Sequence, residues 1–289
     1  MCLVACWFAL AGLAAPLTEA WPASLAPFRN SASTTPWLPR MGIMNVSLRK
    51  YRREFLHSYA FGISPTLELL RRRPGAAMGV IASARSDRSE TTREIRRLCH
   101  DLGLEFRIDD VGLERLGCKE SCVVAGVFRK YVDLLDPTAN HVMLDRPQYH
   151  GNIGTIARTM AGSGFTDLAV IRPAAEVLDP ECIRSSMGAA FAVRCQYFDS
   201  FGVYQQIHRR TVYPFVVEGG EAPEAITFRS PLSLLFGNEG AGLSKSQCRS
   251  WQCVSIPHAA DIDSLNVAVA VGIALYEVSR RTPRNPCMM

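Results

Sequence analysis

The 289-residue sequence lacks the patterns that would place it in several common classes. It contains no Cys-x-x-Cys pair and no histidine-rich cluster, and the spacings Cys118/Cys122 and Cys248/Cys253 are not those of a zinc ribbon. We therefore predict no metal site, and we expect the ten cysteines to be reduced and mostly buried. The Walker pattern is absent, and no Gly-x-Gly-x-x-Gly follows a predicted strand. That absence disfavours a dinucleotide-dependent oxidoreductase, a class suggested only by alternating strands and helices.

The amino-terminal residues have little charge and no complete targeting signal. Residues 1–39 carry only Glu19 and Arg29 as charged side chains, and their apolar run is shorter than the roughly 20 residues of a membrane span. A basic region before that run, typical of signal peptides, is missing. We predict a non-globular extension over residues 1–44. It is either a weak targeting segment or a misassigned start, with Met41 or Met44 as the true beginning. We expect a cytoplasmic protein without a membrane partner, and organellar targeting stays open.

Positive charge is concentrated in residues 49–73, although the net charge of +5 only permits an anionic partner. The strings RKYRR at 49–53 and RRR at 71–73 are interleaved with the aromatic rings of residues 51, 55, 57 and 59. Such a surface suits phosphates and stacked bases, whereas charge runs more often form a solvated helix face. The candidate RNA contacts here are Arg49, Lys50, Arg52 and Arg53.

The pattern of residues 45–136 predicts a small α/β unit. Strands are predicted over 78–84, 104–108 and 122–128, and a capping box of Thr91 and Glu94 is predicted to start a helix between the first two. A turn at residues 136–138 predicts the domain boundary. The second predicted domain, 137–289, has short apolar strands at 141–144, 168–171, 215–217 and 232–236. Helices alternate with them, which implies a largely parallel sheet with ligand sites at the carboxyl ends of its strands.

Three loops after these strands carry polar or glycine-rich patterns. Residues 150–158 (HGNIGTIAR) open a helix from which Asn152 and Arg158 project to opposite flanks. Residues 234–244 (LLFGNEGAGLS) put Glu239 at a strand tip, where it would repel a pyrophosphate; S-adenosylmethionine, with its ammonium, sulfonium and ribose, fits better. Residues 254–267 lead into an apolar helix through Arg281, with Ser264 as its predicted N-cap. That helix is apolar nearly all round, which predicts a core or subunit-interface position.

Taken in order, the three loops resemble the motifs of the SpoU (TrmH) family of RNA ribose 2′-O-methyltransferases in the SPOUT superfamily. The family's N-x-G-x-x-x-R is met by Asn152, Gly154 and Arg158. Its G-x-E-G-x-G-L is met by residues 237–243, and its I-P-M followed by S-L-N is met at 256–257 and 264–266. Two positions depart from the family: His258 stands for the usual Met, and Ala260 for the usual Gly. Both lie in the loop that the resemblance implies for the cofactor, and they leave the reaction class unchanged.

The resemblance implies a fold and a site. The fold is α/β: a SPOUT-type, mostly parallel sheet with a carboxyl-terminal trefoil knot, preceded by a small ribosomal-protein-like domain that binds the substrate. It also implies a homodimer through the last helix and S-adenosylmethionine as cofactor, with ribosomal RNA preferred over transfer RNA as the substrate. The implied cofactor contacts are Phe236, Gly237, Ile256, Leu265 and Asn266. The implied catalytic residues are Asn152, Arg158, Glu239, Ser264 and Asn266, with Arg158 also an RNA contact.

The chemistry leaves the proton acceptor open. A ribose hydroxyl must lose its proton as it attacks the methyl group, yet a guanidinium ordinarily keeps its own proton until about pH 12. Either the surroundings make Arg158 a better base, or a substrate phosphate accepts the proton and Arg158 only orients the ribose. The main alternative function is a non-catalytic RNA-binding protein on the same fold.

Overall fold

A computed structural model of the chain describes residues 47–86, 88–117, 122–259 and 261–281. The predicted amino-terminal extension, Cys118 and Ala260 lie outside the described residues. Two sheets, each with its own helices, make up the described chain.

The first sheet has four strands in the order β1-β4-β2-β3, of which β2 and β3 are parallel and the other pairs antiparallel. Its elements are β1 (His57–Phe61), α1 (Ile63–Arg72), β2 (Ala77–Ala82), α2 (Glu90–Asp101), β3 (Glu105–Ile108), α3 (Asp110–Arg115) and β4 (Val124–Arg129). Strands β2, β3 and β4 confirm the predicted strands of the small α/β unit. Strand β1 and helix α1 were not predicted, because the basic residues around them dominated the pattern.

Helix α2 begins one residue before the predicted capping box. Ser89 is its N-cap, with Oγ accepting a hydrogen bond from the backbone N–H of Thr92 at 3.1 Å. The capping box of Thr91 and Glu94 is therefore wrong: both residues lie inside the first turns of the helix. Serine at 89 provides the same cap chemistry as a threonine two residues later, so sequence alone does not decide between them.

The second sheet is entirely parallel, with the strand order β7-β6-β5-β9-β8. Its elements are β5 (His141–Asp145), α4 (His150–Ser163), β6 (Asp167–Ile171), α5 (Pro180–Ser185), β7 (Arg194–Phe198), α6 (Phe201–Ile207), β8 (Thr211–Phe215), β9 (Leu232–Phe236), α7 (Lys245–Cys248) and α8 (Val267–Arg281). The predicted parallel sheet is confirmed. Strand β7 was not predicted, and the strand predicted at 215–217 lies at Thr211–Phe215, where Pro214 argues against a strand in the sequence.

The two sheets share one apolar core. Phe128 on β4 is fully buried against Phe191, with ring centroids 5.1 Å apart and nearly perpendicular planes. Beside them Arg73, at the end of α1, donates to both carboxylate oxygens of Asp133 at 3.0 and 2.9 Å and to the Phe191 carbonyl at 3.0 Å. Arg73 thus joins the two sheets and is occupied by that contact. The boundary after residue 136 stays a prediction.

Helix α8 has one buried and one exposed side. Val271, Ala274 and Leu275 are fully buried, whereas Val269 is 52% exposed and Tyr276 is 65% exposed. Its N-cap is Asn266, whose Oδ1 accepts from the Ala268 N–H at 2.8 Å. The predicted cap at Ser264 is therefore wrong. Among the described residues, no helix combines the length and apolar character needed to cross a membrane.

Candidate functional site

A cavity of about 1040 Å³ opens at the carboxyl ends of β8 and β9, and all three motif loops line it. Parallel sheets bind ligands at this edge. The walls include Asn152 from the first loop, Gly237 and Glu239 from the second, and the segment 263–267 from the third. Loops as far apart in the chain as Asn152 and Asn266, which are 114 residues apart, thus meet around one space large enough for a ligand of nucleoside size.

The loop after β9 is compact because its backbone folds closely onto itself. A Cβ atom added to Gly237 would lie 2.5 Å from the Gly242 carbonyl carbon, so only glycine fits there. Asn238 holds the turn: its Oδ1 accepts from the N–H groups of Gly240 and Ala241 at 3.0 and 3.1 Å. Its Nδ2 donates to the Arg146 carbonyl at 2.8 Å, which ties the loop to the end of β5.

A chain of hydrogen bonds joins the three motif loops. Asn266 Nδ2 donates to Asn152 Oδ1 at 3.2 Å, and Asn152 Nδ2 donates to Glu239 Oε1 at 3.2 Å. The other carboxylate oxygen of Glu239 accepts from the Gln148 N–H at 3.3 Å. The Glu239 carboxylate is thereby fixed in position at the cavity wall, where its charge favours a cationic or hydroxyl-bearing ligand.

Two aromatic rings provide an apolar surface in the cavity. Phe215 at the end of β8 and Phe236 at the end of β9 are stacked, with centroids 4.6 Å apart and planes inclined by 19°. Both are almost fully buried and both line the cavity. Phe215 was not singled out in the sequence, although its place at a strand end is the signal that could have identified it. Gln148 and Asn238, which orient the polar groups, were also missed.

The third loop is shaped by a histidine. His258 Nδ1 lies 2.8 Å from the Ile256 carbonyl oxygen, which can only accept, so Nδ1 carries the proton. Ser264 is exposed and Leu265 is half-buried, and both line the cavity. The structure thus places Ile256, Leu265, Gly237, Phe236 and Asn266, the predicted cofactor contacts, around one space.

The two glycines of the first loop have different roles. A Cβ on Gly154 would lie 1.9 Å from Ser185 Oγ and 2.5 Å from the Cys182 carbonyl oxygen, both in α5. Gly154 therefore lets α4 pack closely on α5 and does not approach a ligand. Gly151 lines the cavity and has nothing within 4 Å of its would-be Cβ.

Arg158 lies apart from the other predicted catalytic residues. It is exposed on α4 and lines a separate hollow of about 310 Å³, together with Arg71, Arg72 and Met187. Within one copy of the chain, the structure brings together Asn152, Glu239, Ser264 and Asn266 around the main cavity but not Arg158.

The predicted RNA contacts of the basic zone are surface residues. Arg49, Lys50, Arg52 and Arg53 are all exposed, and the Arg49 guanidinium lies 4.5 Å from the centroid of the Phe55 ring. In the RRR string, Arg71 pairs with Glu94 at 2.6 Å and Arg72 pairs with Glu68 at 2.5 Å. The first string is therefore the more available of the two for a nucleic acid.

A group of possible metal ligands lies beside the main cavity. The ligand atoms of His150, Asp179 and Glu181 all lie within 4.8 Å of one another. Burial raises the pKa of the Asp179 carboxyl, which already accepts a hydrogen bond from the Glu181 N–H at 2.8 Å as the N-cap of α5. This carboxylate is accounted for by the helix that it caps.

Comparison with known proteins gives consistent matches. Residues 139–276 match the SpoU rRNA methylase family. A 23S rRNA (uridine(2479)-2′-O)-methyltransferase of Streptomyces viridochromogenes is 36% identical over 153 residues, 48% of this chain and 52% of that protein. An uncharacterised tRNA/rRNA methyltransferase of Synechocystis sp. is 33% identical over 144 residues, 48% of this chain and 53% of that protein. The chain spans about half the length of these curated relatives.

Among solved structures, the SpoU methyltransferase AviRb from Streptomyces viridochromogenes, crystallised with the cofactor AdoMet, is 27% identical with a TM-score of 0.68. That match covers 78% of this chain and 90% of AviRb, so it includes the small sheet as well as the parallel one.

Proposed function

Residues 139–276 place this chain in the SpoU rRNA methylase family, and we propose from that membership that it is an S-adenosylmethionine-dependent RNA ribose 2′-O-methyltransferase. The observation that carries the proposal is the hydrogen-bonded chain of Asn266, Asn152 and Glu239 on the wall of the main cavity. It joins one polar side chain from each motif loop at the edge where a parallel sheet binds its ligand.

The main cavity fits the proposed cofactor. Stacked Phe215 and Phe236 offer an apolar surface for an adenine, and Gly237, where the backbone turns closely, lines the same cavity. Ile256 and Leu265 line the same cavity. AviRb, which shares the fold, was solved with AdoMet. When bound, S-adenosylmethionine supplies a methyl group activated by its sulfonium.

The side chains of the site have separable roles. The Glu239 carboxylate, fixed by Asn152 and Gln148, supplies negative charge toward a cationic cofactor or a ribose hydroxyl. Asn152 and Asn266 orient that carboxylate and each other. Ser264 is exposed at the rim, where a substrate can reach it. Positioning of a nucleophile by such groups provides much of the acceleration of a group transfer.

Homodimer formation would complete the site. Thr155, Arg158 and Gly162 form an exposed row on α4, which packs beside α8. The neighbouring face of α8 exposes Val269 and Tyr276. Covering this face with a second copy would bury apolar surface and bring Arg158 of one copy toward the main cavity of the other. There it would orient the target ribose or accept its proton.

The remaining features follow from the family. Threading of the carboxyl-terminal segment would form the trefoil knot around the cofactor, and the small sheet would contact the substrate through Arg49, Lys50, Arg52 and Arg53. Ribosomal RNA is the proposed substrate in preference to transfer RNA. The name of the 23S rRNA methyltransferase relative supports that choice.

Transfer of a tritiated methyl group from S-adenosylmethionine to bulk RNA tests the proposal. We expect the unaltered chain to incorporate tritium into RNA, and we expect Arg158→Ala and Glu239→Gln to lose this activity. Arg158→Ala should still take up S-adenosylmethionine nearly as well as the unaltered chain. RNA binding by the unaltered chain without any methyl transfer would instead favour the non-catalytic alternative. Nuclease digestion followed by mass spectrometry would show whether the product carries the methyl group on a ribose 2′ oxygen.

Mixed dimers test the placement of Arg158. Arg158→Ala and Glu239→Gln chains are inactive alone, but a dimer of one of each has one intact site if Arg158 serves its partner. Random mixing should then restore about a quarter of the unaltered activity, since half of the dimers are mixed and each has one working site. No recovery in a preparation shown to contain mixed dimers would place Arg158 in its own chain's site or outside the site.

A further inference from the structure

A second hollow of about 840 Å³ adjoins the main cavity. It lies between residues 51–53 and the loop 172–176 that follows β6, and it shares Gln148 and His150 with the main cavity. The two spaces are therefore neighbours on one surface. None of the three motif loops accounts for the arginines of this second hollow.

The basic segment is held at the rim of this hollow by specific contacts. Tyr51 Oη donates to Glu176 Oε2 at 2.5 Å, and Lys130 Nζ lies 2.8 Å from Glu176 Oε1. Lys130 Nζ also donates to the Arg53 carbonyl at 2.8 Å. Burial and the hydrogen bond to Glu176 raise the pKa of the Tyr51 hydroxyl, so it stays a donor. These contacts fix the backbone that carries Arg52 and Arg53.

Three arginines line the hollow: Arg52, Arg53 and Arg172. Arg53 Nη2 donates to the Ala174 carbonyl at 3.2 Å, and Arg172 stacks 5.1 Å from the Tyr197 ring centroid while keeping 56% of its side chain exposed. Arg52 is exposed. The guanidinium of Arg172, stacked on a ring in this way, keeps N–H groups free for a phosphate.

The hollow also contains carboxylates, but each has a partner. Glu176 is held by Tyr51 and Lys130. Asp179 is the N-cap of α5, and its Oδ2 lies 3.7 Å from His150 Nε2. Asp199 lies 4.0 Å from Arg172 and is largely exposed. Between these groups Pro173, Ala174 and Ala175 form an apolar stretch of wall. A phosphate site beside an apolar wall is what a nucleotide requires.

We propose that this second hollow binds a nucleotide of the RNA substrate next to the one whose ribose is methylated, with Arg52 and Arg172 holding its phosphate. The inference rests on the proposed function, because it places the methylated ribose at the main cavity. The base of the nucleotide in the second hollow lies against the wall formed by residues 173–175. The hollow thus serves to position the RNA beside the cofactor site.

RNA affinity of the double variant Arg52→Gln/Arg172→Gln tests the inference. The probe is a fluorescein-labelled, single-stranded oligoribonucleotide of mixed sequence, followed by fluorescence anisotropy over a series of salt concentrations. Loss of two phosphate contacts should reduce the salt slope of log K by about 1.4 in magnitude and weaken binding about tenfold. Arg209→Gln is the matched control, since Arg209 is an exposed arginine just before the amino end of β8, at the opposite edge of the sheet.

Two further measurements separate this inference from the proposed function. Calorimetric titration with S-adenosylmethionine should give the same affinity for the double variant as for the unaltered chain. Photo-crosslinking of a 4-thiouridine oligoribonucleotide should label the peptide containing residues 172–176. If the double variant binds RNA as tightly as Arg209→Gln does, the subsite is refuted while the methyltransferase proposal stands. If the unaltered chain takes up no S-adenosylmethionine, the function fails, and the RNA affinities still decide the subsite.

Discussion

The substitution Gly237→Ala should disrupt the loop that follows β9. Its Cβ would lie 2.5 Å from the Gly242 carbonyl carbon and 2.7 Å from the Leu243 nitrogen, whereas ordinary contacts begin at 3.4 Å. The two backbone segments must therefore separate by roughly 1 Å, and neither is a flexible side-chain end. Forcing extra volume into a packed site costs about 1–3 kcal/mol. If the bound geometry requires the close turn, the affinity for S-adenosylmethionine falls about 5- to 150-fold.

Gly240→Ala is the matched control for Gly237→Ala. It lies in the same loop, and its would-be Cβ is 3.6 Å from Asn238 Oδ1, an ordinary contact. Isothermal calorimetry with S-adenosylmethionine and urea unfolding of both variants would measure the effect. Equal affinities and equal unfolding free energies for the two variants would refute the reasoning that a close backbone approach shapes this site.

Three further predictions concern a cap, a pH dependence and an ion pair. Asn266→Asp keeps an N-cap for α8 but removes the amide that donates to Asn152, so methyl transfer should fall in a radiolabel assay. The unfolding free energy of Asn266→Asp should change by less than the ~1 kcal/mol expected for Asn266→Ala, which loses the cap. Burial lowers the pKa of His141 from 6.5 to about 4, so the folded chain binds fewer protons than the unfolded chain between these values. The unfolding free energy should therefore fall by up to about 3 kcal/mol as pH drops through that window, and His141→Gln should flatten the profile in urea titrations. Arg73→Met leaves Asp133 unpaired and should lower the unfolding free energy by roughly 2–3 kcal/mol, whereas an unchanged midpoint would show that this pair contributes little.

The site was more predictable from the sequence than the fold. Asn152, Glu239 and Asn266 stand in the three loops that resemble the SpoU motifs, and that resemblance implied that they belong to one site. The separation of Arg158 from them within one copy depends on which face of α4 is left exposed. That face is decided by how α4 packs on α5 and α8, which a motif does not encode.

The errors in the fold have local physical causes. Strand β1 was not predicted because the basic residues on either side of it suggested either a nucleic-acid-binding surface or a solvated helix face. Strand β8 contains Pro214, a residue that argues against a strand interior, and the pairing of its neighbours in a parallel sheet overrides that preference. The helix caps were misplaced by two residues in each case, because several nearby side chains could serve equally well.

The shared core around Phe128 and Phe191 bears on how the chain would meet the proposed RNA substrate. Because β4 of one sheet and the 3₁₀ turn Ala189–Ala192 beside the other are packed into a common interior, neither sheet can rotate without opening that interior to water. The distance between the basic segment 49–53 and the three motif loops is therefore set when the chain folds. If the chain binds RNA as proposed, this spacing is fixed in advance, and selectivity rests on whether the RNA can adopt it.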